Sequence, residues 1–174
     1  DLDGSGIGVT ELSQSSFFID ANNDGLDNRM AWAAAGNGVL FYDADGDGGI
    51  SETREFVFTE WDPTATSDLE AIAAVFDSNG DGVLDANDAA FVDFKVLVTN
   101  ADGTFTAFSL KDLGIVSIDL NADATHIDLP DGSVITGQTT FTWADGTTGT
   151  VGDVALAYDA DSNRVEQTSS LDGN

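Results

Sequence analysis

Cysteine is missing from all 174 residues, so no disulfide supports the fold. That fits secretion without oxidative folding and fits the cytosol equally. Histidine occurs once, at His126, where a structural place in a strand is expected. Neither a zinc site nor a Ser-His-Asp triad assembles around it. Methionine also occurs once, at Met30, which argues against the Met-rich target groove of a calcium sensor. Lysine and arginine total 5, too few for the basic patches that nucleic acid or an anionic membrane surface requires. No apolar run approaches the length of a membrane span, and no signal-peptide pattern is visible. The chain opens at Asp1-Leu2-Asp3-Gly4 without an initiator Met and reads as a piece of a longer, monomeric polypeptide.

Against those 5 basic residues stand 32 acidic ones, a net charge of −27. Such a chain repels itself as it compacts. At the level of composition two readings are open. One is an acidic surface kept for solubility, and the other is a set of carboxylates that hold divalent cations. A disordered acidic tail is excluded by a hydrophobic share of 41%, with 11 Phe and 3 Trp. The length suits one domain with a core, or two small lobes sharing one.

The acids are not evenly spread. They cluster in loops at 1–6, 20–28, 43–52 and 77–88, each with the form D-x-[DNS]-x-[DNS]-G or close to it. The starts lie 19, 23 and 34 residues apart, which argues for separate loops on one body rather than a solenoid. Calcium takes six to eight hard oxygen ligands, and a tightly wound loop converges side chains 1, 3 and 5 on one point. Gly at position 6 permits the turn, position 7 offers its carbonyl, and an acid near position 12 closes the shell. Four such loops predict about four calcium ions.

Loop 77–88 offers Asp77, Asn79, Asp81, the Val83 carbonyl, Asp85 and, at position 12, Asp88. Loop 43–55 offers Asp43, Asp45, Asp47 and the Gly49 carbonyl. Arg54 stands at its position 12 and Glu55 at 13, so one residue must bulge, and Glu52 is a second candidate. Loop 20–28 offers Asp20, Asn22, Asp24 and the Leu26 carbonyl, with Asp27 as a candidate closing ligand. Loop 1–7 offers Asp1, Asp3, Ser5 and the Ile7 carbonyl, with Glu11 out of register.

Ser67 and Glu70 form a capping box before Leu69, Ile72, Ala73 and Phe76 at helical spacing. A second helix is expected from about Asn87 to Phe94, giving loop 77–88 an EF-hand arrangement. Beyond 95 the texture turns to strands. Residues 95–99 and 104–108 flank a hairpin turn, and 109–114 reads as one helical turn closed by Gly. Strands are expected at 115–120, around Ile127, at 133–136 and at 139–143. Segment 151–158 fits a short helix or an edge strand, and 159–174 a polar tail. The expected class is α+β, with EF-hand-like calcium loops and short helices over 1–95 and a small antiparallel sheet over 96–158. The aromatics Phe17, Phe18, Trp32, Phe56, Phe58, Trp61, Phe76 and Phe91 read as core. Asp62-Pro63 reads as a turn.

In their order these pieces resemble a known family, the calcium-dependent self-processing module of RTX proteins, typified by FrpC-type proteins of Gram-negative bacteria. The resemblance runs over about 1–158. It rests on Asp1-Leu2-Asp3-Gly4, on Trp32 after the second loop, and on Gly38-Val39-Leu40 leading into the third. Further pieces are Arg54-Glu55-Phe56, Leu69-Glu70-Ala71-Ile72, Asp85-Ala86-Asn87-Asp88-Ala89-Ala90-Phe91, Leu113-Gly114-Ile115 and Asp145-Gly146-Thr147-Thr148-Gly149-Thr150. The resemblance implies that calcium folds the module and triggers cleavage of an Asp-Pro bond just before the first Asp-Leu-Asp-Gly. The new aspartyl end, on the departing fragment, can then join a lysine through an isopeptide bond. Asp62-Pro63 is not at that position. The family's further calcium loop is shortened here at 98–104 and lacks the acids, which predicts a plain hairpin.

The expected function is therefore a calcium-folded module of a secreted RTX-type protein. Its partners would be calcium, the rest of its polypeptide and the lysine of an acceptor. The alternative is a calcium-stiffened structural or adhesive spacer without processing activity.

Overall fold

The computed structural model describes residues 1–165, the last four by backbone alone. Short alternating stretches become strands wherever one face finds cover. From the start of the chain these are β1 (Val9–Thr10), β2 (Phe17–Ile19), β3 (Leu26–Met30), β4 (Trp32–Ala33) and β5 (Gly38–Tyr42). In β2, Phe17 and Ile19 point inward while Phe18 is half-buried and carries Arg29 over its ring. Helix α1 (Asp68–Val75) follows, then β6 (Val83–Asp85), β7 (Phe94–Thr99), β8 (Phe105–Ser109) and the single turn α2 (Leu110–Leu113). The remainder is β9 (Ile115–Asp119), β10 (Ile127–Asp128), β11 (Val134–Trp143), β12 (Thr148–Ala155) and β13 (Tyr158–Val165).

All the strand pairs are antiparallel. Strand β11 is the spine of the largest sheet: β12 runs along one edge, while β10 and β9 share the other, and β6 adds to β9. A second sheet runs β5-β7-β8, and a third β13-β3-β2. Two apolar clusters result. Leu69, Ile72, Phe76, Leu84, Phe94, Ile118 and Phe141 belong to the larger, with Phe58 and Phe91. Phe17, Trp32, Phe41 and Phe56 centre the smaller, where Phe17 stacks on Trp32 at 3.5 Å. Trp61 packs at the edge of the larger cluster.

The α+β expectation is overturned. The chain is mostly antiparallel sheet, and among the described residues there are two α-helices. Helix α1 begins where the capping signal placed it, with the Ser67 hydroxyl accepting the Glu70 N–H at 3.1 Å. The Glu70 carboxylate reaches Thr66 instead of Ser67. The one-turn α2 ends on Gly114 at φ 86°, where a side chain would be strained.

The EF-hand helix expected from Asn87 does not form. After a 3₁₀ turn at Phe91–Asp93 the chain straightens into β7. The cause is tertiary: Phe94 pairs with Tyr42 and is fully buried against the larger cluster, so the backbone must be extended there. Segments 133–136 and 139–143 merge into β11, and 151–158 contributes to β12 and β13. Strand β13 carries ordered backbone to Val165, into the stretch read as a polar tail, by pairing with β3. Residues 166–174 lie outside the described residues.

Candidate metal centre

The four acidic loops share one winding. In each, the position-1 aspartate accepts the N–H of the position-6 glycine: Asp1 from Gly6, Asp20 from Gly25, Asp43 from Gly48 and Asp77 from Gly82, at 2.8 to 3.1 Å. The position-3 side chain accepts the N–H of position 5 in all four, through Asp3, Asn22, Asp45 and Asn79. Asp24, Asp47 and Asp81 then accept the N–H groups of Leu26, Gly49 and Val83. Positions 4 and 6 both have positive φ in every loop. Position 4 is Gly4, Gly46 and Gly80 in three loops, and Asn23 at φ 59° in the other. Asparagine is among the few side chains that tolerate this conformation. The winding therefore needs a permissive residue at position 4 as well as at 6.

Closure separates the loops. Among the described residues, one group of three or more acidic or histidine side chains brings its ligand atoms within 4.8 Å of one another: Asp43, Asp45, Asp47 and Glu55. The Thr53–Glu55 turn is 3₁₀, tight enough to bring Glu55 inward from position 13. Glu55 is fully buried and accepts the N–H groups of Ala44 (3.2 Å), Ser51 (2.7 Å) and Glu52 (3.1 Å). Glu52 turns outward and pairs with Arg54. The Asp47 N–H and the Ser51 hydroxyl hold the Asp45 carboxyl below the usual range.

Asp43 is buried. One of its oxygens takes the Lys95 ammonium, a contact the sequence pattern did not reveal, and the other, Oδ1, accepts no hydrogen bond. A buried carboxylate oxygen without a donor is costly, and four converging carboxylates repel. A hard divalent cation would relieve both. The donor set is all carboxylate oxygen, which suits calcium or magnesium and disfavours softer metals. The residues present fit such an ion.

In loop 77–88 the closing Asp88 is also buried, but its two oxygens accept the N–H groups of Ser78 (2.7 Å) and Asp85 (3.0 Å). Burial alone would push its carboxyl up; the N–H groups of Asp85, Ser78 and Asn79 outweigh that and hold it low. Asp85 accepts the Asn87 N–H. In loop 20–28 the residue folded back over the loop is Asn28, whose Oδ1 accepts the Ala21 N–H at 3.3 Å. Asn28 is fully buried, and the sequence reading, which offered Asp27, missed it. The shared signal is that the closing side chain takes the position-2 N–H: Glu55 from Ala44, Asp88 from Ser78, Asn28 from Ala21. In loop 1–7 that N–H, from Leu2, goes to the Gly36 carbonyl, and Ser5 gives its hydroxyl to Asp3. A Cβ at Gly36 would collide with the Asp3 carboxylate, so this loop is closed by a neighbouring segment.

The other sequence candidates are simply placed. Asp62 accepts the Thr64 N–H and hydroxyl in an exposed turn, and those bonds hold its carboxyl low. His126 is exposed beside Asp128.

With this geometry in hand, the comparisons with known proteins decide the family. The family model described as the SPM domain matches residues 1–157, nearly the whole described chain. The chain belongs to the SPM domain family. Its relatives include the iron-regulated protein FrpA of Neisseria meningitidis serogroup C, 35% identical over 170 residues. That match covers 91% of this chain and 15% of FrpA. The chain is thus an RTX-associated module of the FrpC-like self-processing kind, and it spans about 15% of the length of that relative.

Proposed function

We propose that this SPM domain is a calcium-folded module of a secreted RTX-type protein that supports cleavage of an Asp-Pro bond just upstream of residue 1. The observation that carries the calcium reading is the Asp43, Asp45, Asp47 and Glu55 cluster with its donorless Asp43 oxygen. The winding repeated in the other three loops supports about four sites. Bound calcium supplies positive charge that offsets the carboxylates and ties loop ends together, which is folding free energy.

The chain's own residues fix the start of the module. The Asp1 nitrogen donates to the Thr150 carbonyl at 3.0 Å, and Leu2 donates to Gly36 while packing on the larger cluster. A bond just upstream would be held in one place against the fold. At such a bond the aspartyl carboxylate can attack its own carbonyl carbon, with the proline nitrogen as leaving group. The activated aspartyl end is open to water, or to a lysine amine that would form an isopeptide bond.

The test is to express the chain with its native upstream segment, add millimolar calcium and run a denaturing gel. Two fragments are expected. An intact chain that nonetheless folds on calcium leaves the structural spacer.

A further inference from the structure

Between the N-terminal segment, α1 and β12 lies a cavity of about 160 Å³. Its walls are mainly apolar, among them Leu2, Ile7, Leu69, Ile72 and Val151. That is room for a ring of the size of benzene, or of proline. The charged side chains lining it are all aspartates: Asp1, Asp68 and Asp153. Asp1 stands at the wall, with its nitrogen on the Thr150 carbonyl.

Asp68 and Asp153 form a pair here. Asp153, on β12, is 6% exposed, and its Oδ2 accepts the N–H of Leu69 at 3.0 Å. Asp68, the neighbour of Leu69, accepts the N–H of Thr59 at 3.1 Å. The two residues are far apart in sequence and serve none of the four loops. Both carboxylates hold backbone N–H groups, yet they stand together at a mainly apolar cavity, where two like charges are costly to bury.

We propose that this cavity receives the segment preceding Asp1, and that the Asp68–Asp153 pair gives a proton to the proline nitrogen as it departs. The inference rests on the processing reading above. The scissile aspartate's carboxylate oxygen bonds to its own backbone carbonyl carbon, and the C–N bond breaks. The electron pair of that bond stays on nitrogen, which takes the proton from Asp68. The products are an aspartyl anhydride on the departing fragment, a secondary amine on the module and an Asp68 carboxylate. Water or a lysine amine then opens the anhydride.

Asp68 suits this work at neutral pH. Burial first, and then the charge of Asp153, push its carboxyl up to about 6, with Glu60 adding a little. The N–H groups of Thr59 and Phe58 oppose the shift. Among the described residues no lysine, arginine or histidine lines the cavity. A general acid works best with its pKa near the working pH, and contributes roughly 10²- to 10⁴-fold.

The experiment measures the cleavage rate of the chain with its native upstream segment, in saturating calcium, from pH 5 to 9. The wild type is expected to slow along a falling limb above about pH 6. Asp68→Asn keeps an oxygen for the Thr59 N–H, and is expected to cut the rate about 100-fold and flatten the limb while calcium-induced folding persists. Asp153→Asn keeps an acceptor for Leu69 and is expected to move the limb to lower pH, because Asp68 then ionises more easily. A folded Asp68→Asn chain that cleaves at the wild-type rate overturns the inference and leaves the processing reading standing. Should Asp68→Asn not fold, an unmoved limb in Asp153→Asn, or a flat wild-type profile above pH 6, overturns it. A wild type that does not cleave removes both.

Discussion

Loops 43–55 and 77–88 have the same backbone winding and nearly the same side chains, yet they close differently. By sequence, 77–88 is the more complete EF-hand loop, with its acid at position 12. In the structure it is 43–55 whose carboxylates converge, through an acid one position late. Both closing carboxylates are buried, and both hold backbone N–H groups. The difference lies in the closing side chain, one methylene longer in Glu55, and in the 3₁₀ turn that brings it inward from position 13. Glu55 accepts three N–H groups and still lies among Asp43, Asp45 and Asp47, whereas the shorter Asp88 bonds Ser78 and Asp85. A count of positions describes a loop less well than the reach of its last side chain and the turn that carries it.

The harshest way to break the comparison is Glu55→Ala. It leaves the N–H groups of Ala44, Ser51 and Glu52 without an acceptor, and is expected to cost at least about 3 kcal/mol in urea unfolding at saturating calcium. Calcium titration of the same variant is expected to lose one site. A cost near zero would mean that Glu55 does not organise its loop.

Next in size is a carboxylate outside both loops. Asp68 titrates near 6 in the fold and near 3.8 in the unfolded chain. The folded state therefore binds more protons between those values, and Asp68 lowers stability as pH rises through that window. Asp68→Asn is expected to raise stability by about 2 kcal/mol at pH 7.5 and to change little near pH 3, read by urea unfolding at both. Removing a charge would then stabilise at Asp68 and destabilise at Glu55. Equal gains at both pH values would break the contrast.

The smallest effect sharpens the comparison itself. Asp88→Glu gives loop 77–88 the longer closing side chain, and is expected to tighten calcium there by about fivefold, roughly 1 kcal/mol, by isothermal titration. Weaker binding would show that the bonds to Ser78 and Asp85, rather than reach, govern this loop.

The sequence spoke clearly wherever the chemistry is local. The loops, the start of α1, the β7–β8 hairpin and the glycine closing α2 are written in adjacent residues. What it hid depends on distant partners. Strand β3 is short and holds its place between β2 and β13, the latter more than a hundred residues away. Segment 87–94 carries a helical pattern, but Phe94 is drawn into register with Tyr42. The same holds at the candidate site. Positions 1, 3 and 5 are legible in every loop. Asn28, Lys95 on Asp43, and the Gly36 carbonyl on Leu2 are seen only once the chain is folded.

The claim beneath all of this is that calcium assembles the module. Thermal unfolding followed by circular dichroism, in millimolar calcium and then in excess chelator, tests it most directly. Each site at a thousandfold excess over its Kd adds about 4 kcal/mol. For a domain of this size the melting point should fall by at least about 10 °C in chelator, or the folded spectrum should be lost. An unchanged spectrum and melting point would contradict the claim.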